Sequence, residues 1–173
     1  MDDFKTQPGS KAKAAVAPKS YREAMSRFAG ALHVAATDGP AGRRGVTVLA
    51  VASVSDDPPT IIVCLNHNRA ENRMFADNGR FALNVLNARH LELARAFAGE
   101  GQLPMDERFA LGKWRTLETG APVLVDARTS LDCVVEDVQS VHTHDIIFGR
   151  VVACGAPSEG EALVYLDRQY RTV

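Results

Sequence analysis

The chain has 173 residues, 46% of them hydrophobic, and its 20 Lys and Arg against 21 Asp and Glu give a formal net charge of −1. That length holds one domain with a core and is short for two. The balanced charge supplies no whole-molecule field to gather nucleic acid or an anionic membrane, so neither is expected as a partner, and no apolar run approaches the roughly 20 residues of a membrane span.

Residues 1–19 mix Lys, Ala, Pro, Gly and Gln, and their Ala14-Ala15-Val16-Ala17 run is shorter than the apolar segment of a secretory signal. They read as a flexible arm ahead of one domain over 20–173. Ser20 and Glu23 have capping-box spacing, and Tyr21, Met25, Phe28 and Ala29 then share a helical face up to Gly30, which predicts a short docking helix. Ala31 to Thr37 reads as a strand, ended by the turn-forming Asp38-Gly39-Pro40-Ala41-Gly42.

Two apolar runs follow, split by Asp56-Asp57-Pro58-Pro59. In the first, alternation places Val46, Val48, Ala50, Ala52 and Val54 on one side, expected in the core. The other side carries Gly45, Thr47, Leu49, Val51, Ser53 and Ser55. Hydroxyls mixed with aliphatic surface suit a flat heteroaromatic ligand, which needs apolar area under its ring and hydrogen-bonding groups at its edge. The same pattern also suits the ordinary solvent side of an antiparallel strand.

Asn68 and Glu71 repeat the capping spacing and predict a helix ending near Asn78-Gly79; Phe81 to Leu86 reads as a strand, and Asn87 caps a helix that stops at Gly99. A polar loop then runs to about Glu107, and Phe109 to Val125, broken by Gly120 and Pro122, drapes over the core. Thr129 to Asp137, Val138 to His142, His144 to Ala153 and Leu163 to Leu166 read as strands. Strands outnumber helices without alternating with them, so the fold class is mainly β with a few helices and an antiparallel closed or sandwiched sheet. His142 and His144 share a predicted strand face with no acid or thiolate at ligand spacing, so no metal site is expected. Cys64, Cys133 and Cys154 form no C-x-x-C pair and their odd number suits a reducing cytoplasm.

The stretch GVTVLAVASVSDDPPTIIVCLN, Gly45 to Asn66, resembles the signature of the flavin reductase-like family. The likeness continues through FALNVL (81–86), LARAFAG (93–99), HDIIFGRV (144–151) and LVYLDRQYR (163–171). The resemblance implies a split β-barrel of the FMN-binding type, a homodimer, that binds FMN or FAD and takes hydride from NADH or NADPH. It implies further that Thr47, Ser53, Val54 and Ser55 line the flavin, that Asn66, Asn68 and Asn72 approach its ribityl and phosphate end, and that His144 and Tyr170 lie near the nicotinamide. The absence of G-x-G-x-x-G removes a Rossmann dehydrogenase without opposing a nicotinamide that binds transiently.

Two positions depart from the family pattern. Leu49 stands where Ser or another small residue is common, and His67 where Arg or Lys is usual, which leaves Arg69, Arg43 or Arg44 as anion anchors. LDRQYR also lacks the Gly often found before the matching Tyr. Branches of the family pass electrons to free flavin and a partner monooxygenase component, such as one hydroxylating 4-hydroxyphenylacetate, or to a cobalt corrinoid. SYREAMSRFAGALHV (20–34) is similar to the branch that reduces cob(II)yrinic acid a,c-diamide. The alternative from another class is a flavin-binding or flavin-storage module without turnover.

Overall fold

The computed structural model describes residues 14–173. Most of the expected N-terminal arm lies outside the described residues; within them, helix α1 (Pro18–Met25) begins before Ser20. Pro18 sits in the first turn, where its fixed φ suits a helix and its missing N–H leaves nothing unsatisfied. Ala17 takes the capping position, so the expected Ser20 cap is not formed. Nor does α1 dock on its own domain: it buries none of its residues, and Tyr21, Met25 and Phe28 stay exposed. Polar links hold this segment instead, with Arg27 paired to Asp167, Arg168 to Glu23, and the Asp167 N–H donating to the Ser26 carbonyl.

The strands that follow are β1 (Gly30–Ala31), β2 (His33–Thr37), β3 (Arg44–Val48), β4 (Val51–Asp56) and β5 (Pro59–Asn66). A 3-10 turn (Ala70–Arg73) leads into α2 (Met74–Asn78), then β6 (Arg80–Val85), α3 (Leu91–Ala98) and α4 (Met105–Ala110). The chain ends with β7 (Trp114–Arg115), β8 (Val123–Leu124), β9 (Thr129–Val141), β10 (His144–Cys154), β11 (Leu163–Leu166) and β12 (Gln169–Thr172). Seven strands form one antiparallel sheet in the order β3-β2-β6-β9-β10-β5-β4; β1, β11 and β12 form a second sheet, and β7 pairs with β8. The mainly β, antiparallel class is as expected. The sheet is not closed, because β3 and β4 are its two edges. A single link, the Cys64 N–H donating to the Ala50 carbonyl at 2.9 Å, ties the β3–β4 connection to β5.

That connection corrects the expected faces. The run from Gly45 to Ser55 is two strands on opposite edges, broken at Leu49-Ala50, where the chain crosses from one edge to the other. Val48 is buried and Val46 packs against the core. Beyond the break β4 pairs only with β5, so Ala52 and Val54, expected inside, are exposed, as is Ala50 in the connection.

The two predicted strands over Thr129 to His142 are the one long strand β9, and it turns sharply into β10 through His142 at φ 52°. His142 is therefore in a turn and shares no strand face with His144. Gly149 has no side chain because a Cβ there would lie 2.5 Å from the ring of buried Phe81. β2 shows how the core is divided: Val34 and Ala36 join a cluster with Leu32, Leu86, Phe97 and Phe109, while Ala35 faces a second with Val63, Phe75, Phe81 and Ile147. The period of two accounts for the split, and each large side chain so buried stabilises by about 1.5–3 kcal/mol. Buried Asn84 fastens the draping segment to the sheet, accepting from the Leu124 N–H and the Ser130 hydroxyl and donating to the Val34 and Pro122 carbonyls.

Candidate functional site

A groove of about 720 Å³ lies where β3, β5 and the end of α3 meet, within the range of small-molecule sites. Gly45 brings α3 this close: a Cβ there would fall 2.3 Å from the Phe97 ring. Thr47 adds a stitch, its hydroxyl donating to the Ala94 carbonyl at 2.6 Å. Val46, Val48, Leu49, Leu65 and Phe97 give the groove apolar walls. At the end of α3, Gly99 takes a left-handed conformation (φ 96°) that stops the helix along the groove's edge.

One end of the groove is polar. Asn66 and His144 are paired across β5 and β10, and both line it. The turn after β5 is built on Asn66: its Oδ1 accepts from the Asn68 N–H at 2.9 Å, and its carbonyl accepts from Asn72 Nδ2 at 2.9 Å. Asn72 Oδ1 in turn accepts from Arg44 Nε at 3.1 Å. Arg69, Glu71 and Arg108 complete the charged lining. The Arg44 guanidinium is pushed below its ordinary value, first by burial, with Glu71 opposing and Arg108 and Arg69 adding charge of the same sign.

Of the residues singled out in the sequence, Thr47, Asn66, Asn72 and His144 meet in this groove. Asn68 sits beside it on an exposed turn and does not cap a helix, since the 3-10 turn starts after Arg69 without a side-chain cap. Ser53, Val54 and Ser55 lie on edge strand β4, outside the groove lining, and the Ser55 hydroxyl accepts from the Asp57 N–H at 3.2 Å. Tyr170 is also outside the lining. Its hydroxyl donates to Glu100 at 2.8 Å and its ring packs against Tyr165 and the Arg95 guanidinium; burial and Glu100 push its pKa up to about 12.

His67 turns its Nδ1 to within 3.1 Å of Asp145, whose other partner is the Ser140 hydroxyl at 2.6 Å. The Ser140 hydroxyl, with His67 assisting against partial burial, holds the Asp145 carboxyl below its usual range. Among the three alternative anion anchors, Arg44 and Arg69 reach the groove, whereas Arg43 pairs with Asp106 and stacks over Phe109. Arg108 also reaches the groove, from helix α4, which replaces the end of the expected polar loop. Pro104 followed by Met105, Asp106 and Glu107 is an acidic helix start that marks α4. Among the described residues no three His, Cys, Asp or Glu are grouped to hold a metal ion.

An apolar slot with a cationic end fits an aromatic ring carrying an anionic tail. The Flavin reductase like domain family matches residues 25–173. The chain belongs to this family. This flavin reductase-like chain is 45% identical over 168 residues to FMN reductase (NADH) RutF 1 of Methylorubrum extorquens (strain PA1), covering 97% of this chain and 82% of that protein. It is 46% identical over 158 residues to FMN reductase (NADH) RutF of Bradyrhizobium diazoefficiens, covering 91% and 87%. Among solved structures it resembles a candidate flavin reductase from Haemophilus somnus 129PT (TM-score 0.86, 37% identity, 91% of this chain and 100% of that one). It also resembles BorF, the flavin reductase component of a bacterial two-component tryptophan halogenase (TM-score 0.82, 29% identity, 90% and 97%). The flavin reductase-like fold thus extends over β1 to β12, and no helix of its described residues is long and apolar enough to cross a membrane.

Proposed function

We propose that the chain is an NADH-dependent FMN reductase whose flavin occupies the groove between β3, β5 and α3. The observation that carries this reading is the continuity of an apolar wall (Val46, Val48, Leu65) with the linked Asn66, Asn72 and Arg44 in one groove. The names of the relatives at about 45% identity supply the nicotinamide and the flavin.

Bound there, the flavin supplies hydride acceptance and onward release of electrons, which no side chain can do. The protein's task is placement: reacting atoms must be held about 3–3.5 Å apart in a defined orientation. Val46, Val48 and Leu49 give the ring apolar contact, while Thr47 locks α3 against β3 and so sets the width of the slot. His144, exposed at the rim, orients the nicotinamide; its Nδ1 lies 2.9 Å from the Thr143 hydroxyl, which fixes the ring. Tyr170, committed to Glu100 and Arg95, anchors the C-terminal strand.

The working form in this reading is a homodimer. Leu49 and Val54 are 43% and 52% exposed beside the groove and on the open β4 edge, apolar surface that a second copy covers, bringing Ser53 and Ser55 toward the completed flavin site. Reduced flavin then passes to a separate oxygen-using component, as the likeness to BorF and to the styrene monooxygenase flavin reductase of Pseudomonas putida S12 supports. Three free thiols suit a reducing cytoplasm. Steady-state NADH oxidation by the purified protein tests the reading: it is expected to depend on added FMN, and a rate independent of flavin overturns it.

A further inference from the structure

We infer that Asp145 and His67 form a clamp that sets where His144 stands at the rim of the groove, so that both are positioning residues for hydride transfer from the nicotinamide. The role rests on His144 serving the nicotinamide, as in the proposed function, and adds what holds that residue in place.

The turn that carries His144 has little else to hold it. Residues 140–144 are all exposed, and β5 ends at Asn66, the register partner of His144, so His142 and Thr143 project beyond the last rung. The backbone there is also unfavourable. His142 takes φ 52°, a left-handed conformation that a residue with a Cβ disfavours and that persists only where its surroundings enforce it.

Two bonds from His67 supply that enforcement. Its N–H donates to the Thr143 carbonyl at 3.2 Å, which ties the turn to the chain leaving β5. Its ring meets Asp145, with Nδ1 3.1 Å from Oδ1. The same oxygen accepts from the Ser140 hydroxyl at 2.6 Å, across the hairpin rung that pairs Ser140 with Asp145. Ser140 first, then His67, keep this carboxyl below its usual range against partial burial, so it is ionised and can only accept, and Nδ1 must carry the proton. One carboxylate thereby joins both strands of the hairpin to the turn after β5, at the residue next to His144. His67 stands where Arg or Lys is usual in the family, so the clamp is built on one of the chain's departures from the pattern.

The clamp does not act on a ligand directly. Neighbours on a strand face opposite ways, and while His144 and Asn66 line the groove, Ser140, Asp145 and His67 do not. Their influence reaches the groove through the backbone of His144.

Stopped-flow reduction of FMN-saturated protein by varied NADH, beside an FMN titration and a thermal melt, tests the clamp. Asp145→Ala should lower the limiting rate of flavin reduction about fivefold or more, with FMN affinity held within about twofold. Asp145→Asn keeps the accepting oxygen and should restore the rate to within about twofold of the native chain. His67→Ala should slow reduction in the same way, and His67→Asn, whose amide nitrogen can stand where Nδ1 does, should recover most of it. The His144→Ala/Asp145→Ala pair should be no slower than His144→Ala alone, because one residue works through the other. His67→Ala leaves Asp145 bonded to Ser140 and keeps the test available if the melt shows that Asp145→Ala unfolds the chain. A native rate in Asp145→Ala and His67→Ala, with His144→Ala slow, overturns the clamp and leaves the role of His144 standing. Losses that multiply in the double variant, Asp145→Asn as slow as Asp145→Ala, or an equal fall in FMN affinity also overturn it. A native rate in His144→Ala removes the nicotinamide role itself, and the clamp with it.

Discussion

Asn66 closes β5 and His144 opens β10, and the two are register partners whose side chains both line the groove. The strand pair therefore delivers two polar residues to the groove on the same rung. If His144 serves the nicotinamide, His144→Ala should lower kcat/KM for NADH about tenfold while FMN affinity changes by less than about twofold. Stopped-flow reduction with varied NADH, beside an FMN titration, reads both; an equal loss in the two would place His144 on the flavin.

Gly45 is a packing requirement with a functional consequence. A methyl group there meets the Phe97 ring at 2.3 Å, so Gly45→Ala must push α3 off β3 or strain the ring. Overpacking of this kind costs about 1–3 kcal/mol, which at about 2–4 °C per kcal/mol lowers Tm by several degrees. Because α3 forms one side of the groove, FMN affinity should fall as well. Unchanged Tm and unchanged affinity would show that the slot width is not set here.

Tyr170 has a testable titration. Its pKa is raised from 10.0 to about 12 by burial and by the Glu100 carboxylate. A raised folded value means that the neutral form is favoured in the native state: the contribution is complete below about pH 10 and is lost as pH climbs toward 12. Thermal unfolding should therefore show Tm falling more steeply over that window in the native chain than in Tyr170→Phe. At neutral pH Tyr170→Phe should keep NADH-dependent FMN reduction within about twofold. A large loss of reduction with an intact Tm would return Tyr170 to the nicotinamide side.

Much of the sheet was legible from period-two patterning, and β6, β10 and β11 fall close to their expected bounds. What the pattern could not show was the crossover at Leu49-Ala50. Alternation continues through the break as if one strand ran on, yet Val48 and Val54 end on opposite edges of the sheet. Local periodicity carries no information about which edge a strand joins. For the same reason alternation groups Thr47 with Ser53 and Ser55 on one face, although the single chain separates them. Arg108 was missed because α4 spans only six residues and shows too little amphipathic period to register. The Arg44 to Asn72 link joins residues 28 apart, and no spacing rule predicts such a contact.

The most direct measurement is anaerobic mixing of FMN-saturated protein with NADH, following the flavin's visible absorbance. A groove that holds flavin with its reactive edge open to nicotinamide should give rapid bleaching, faster than for free FMN in the same buffer, and slowed in Gly45→Ala, where the slot is disturbed. Absorbance that persists at the rate of free FMN, with the flavin demonstrably bound, would contradict the assignment.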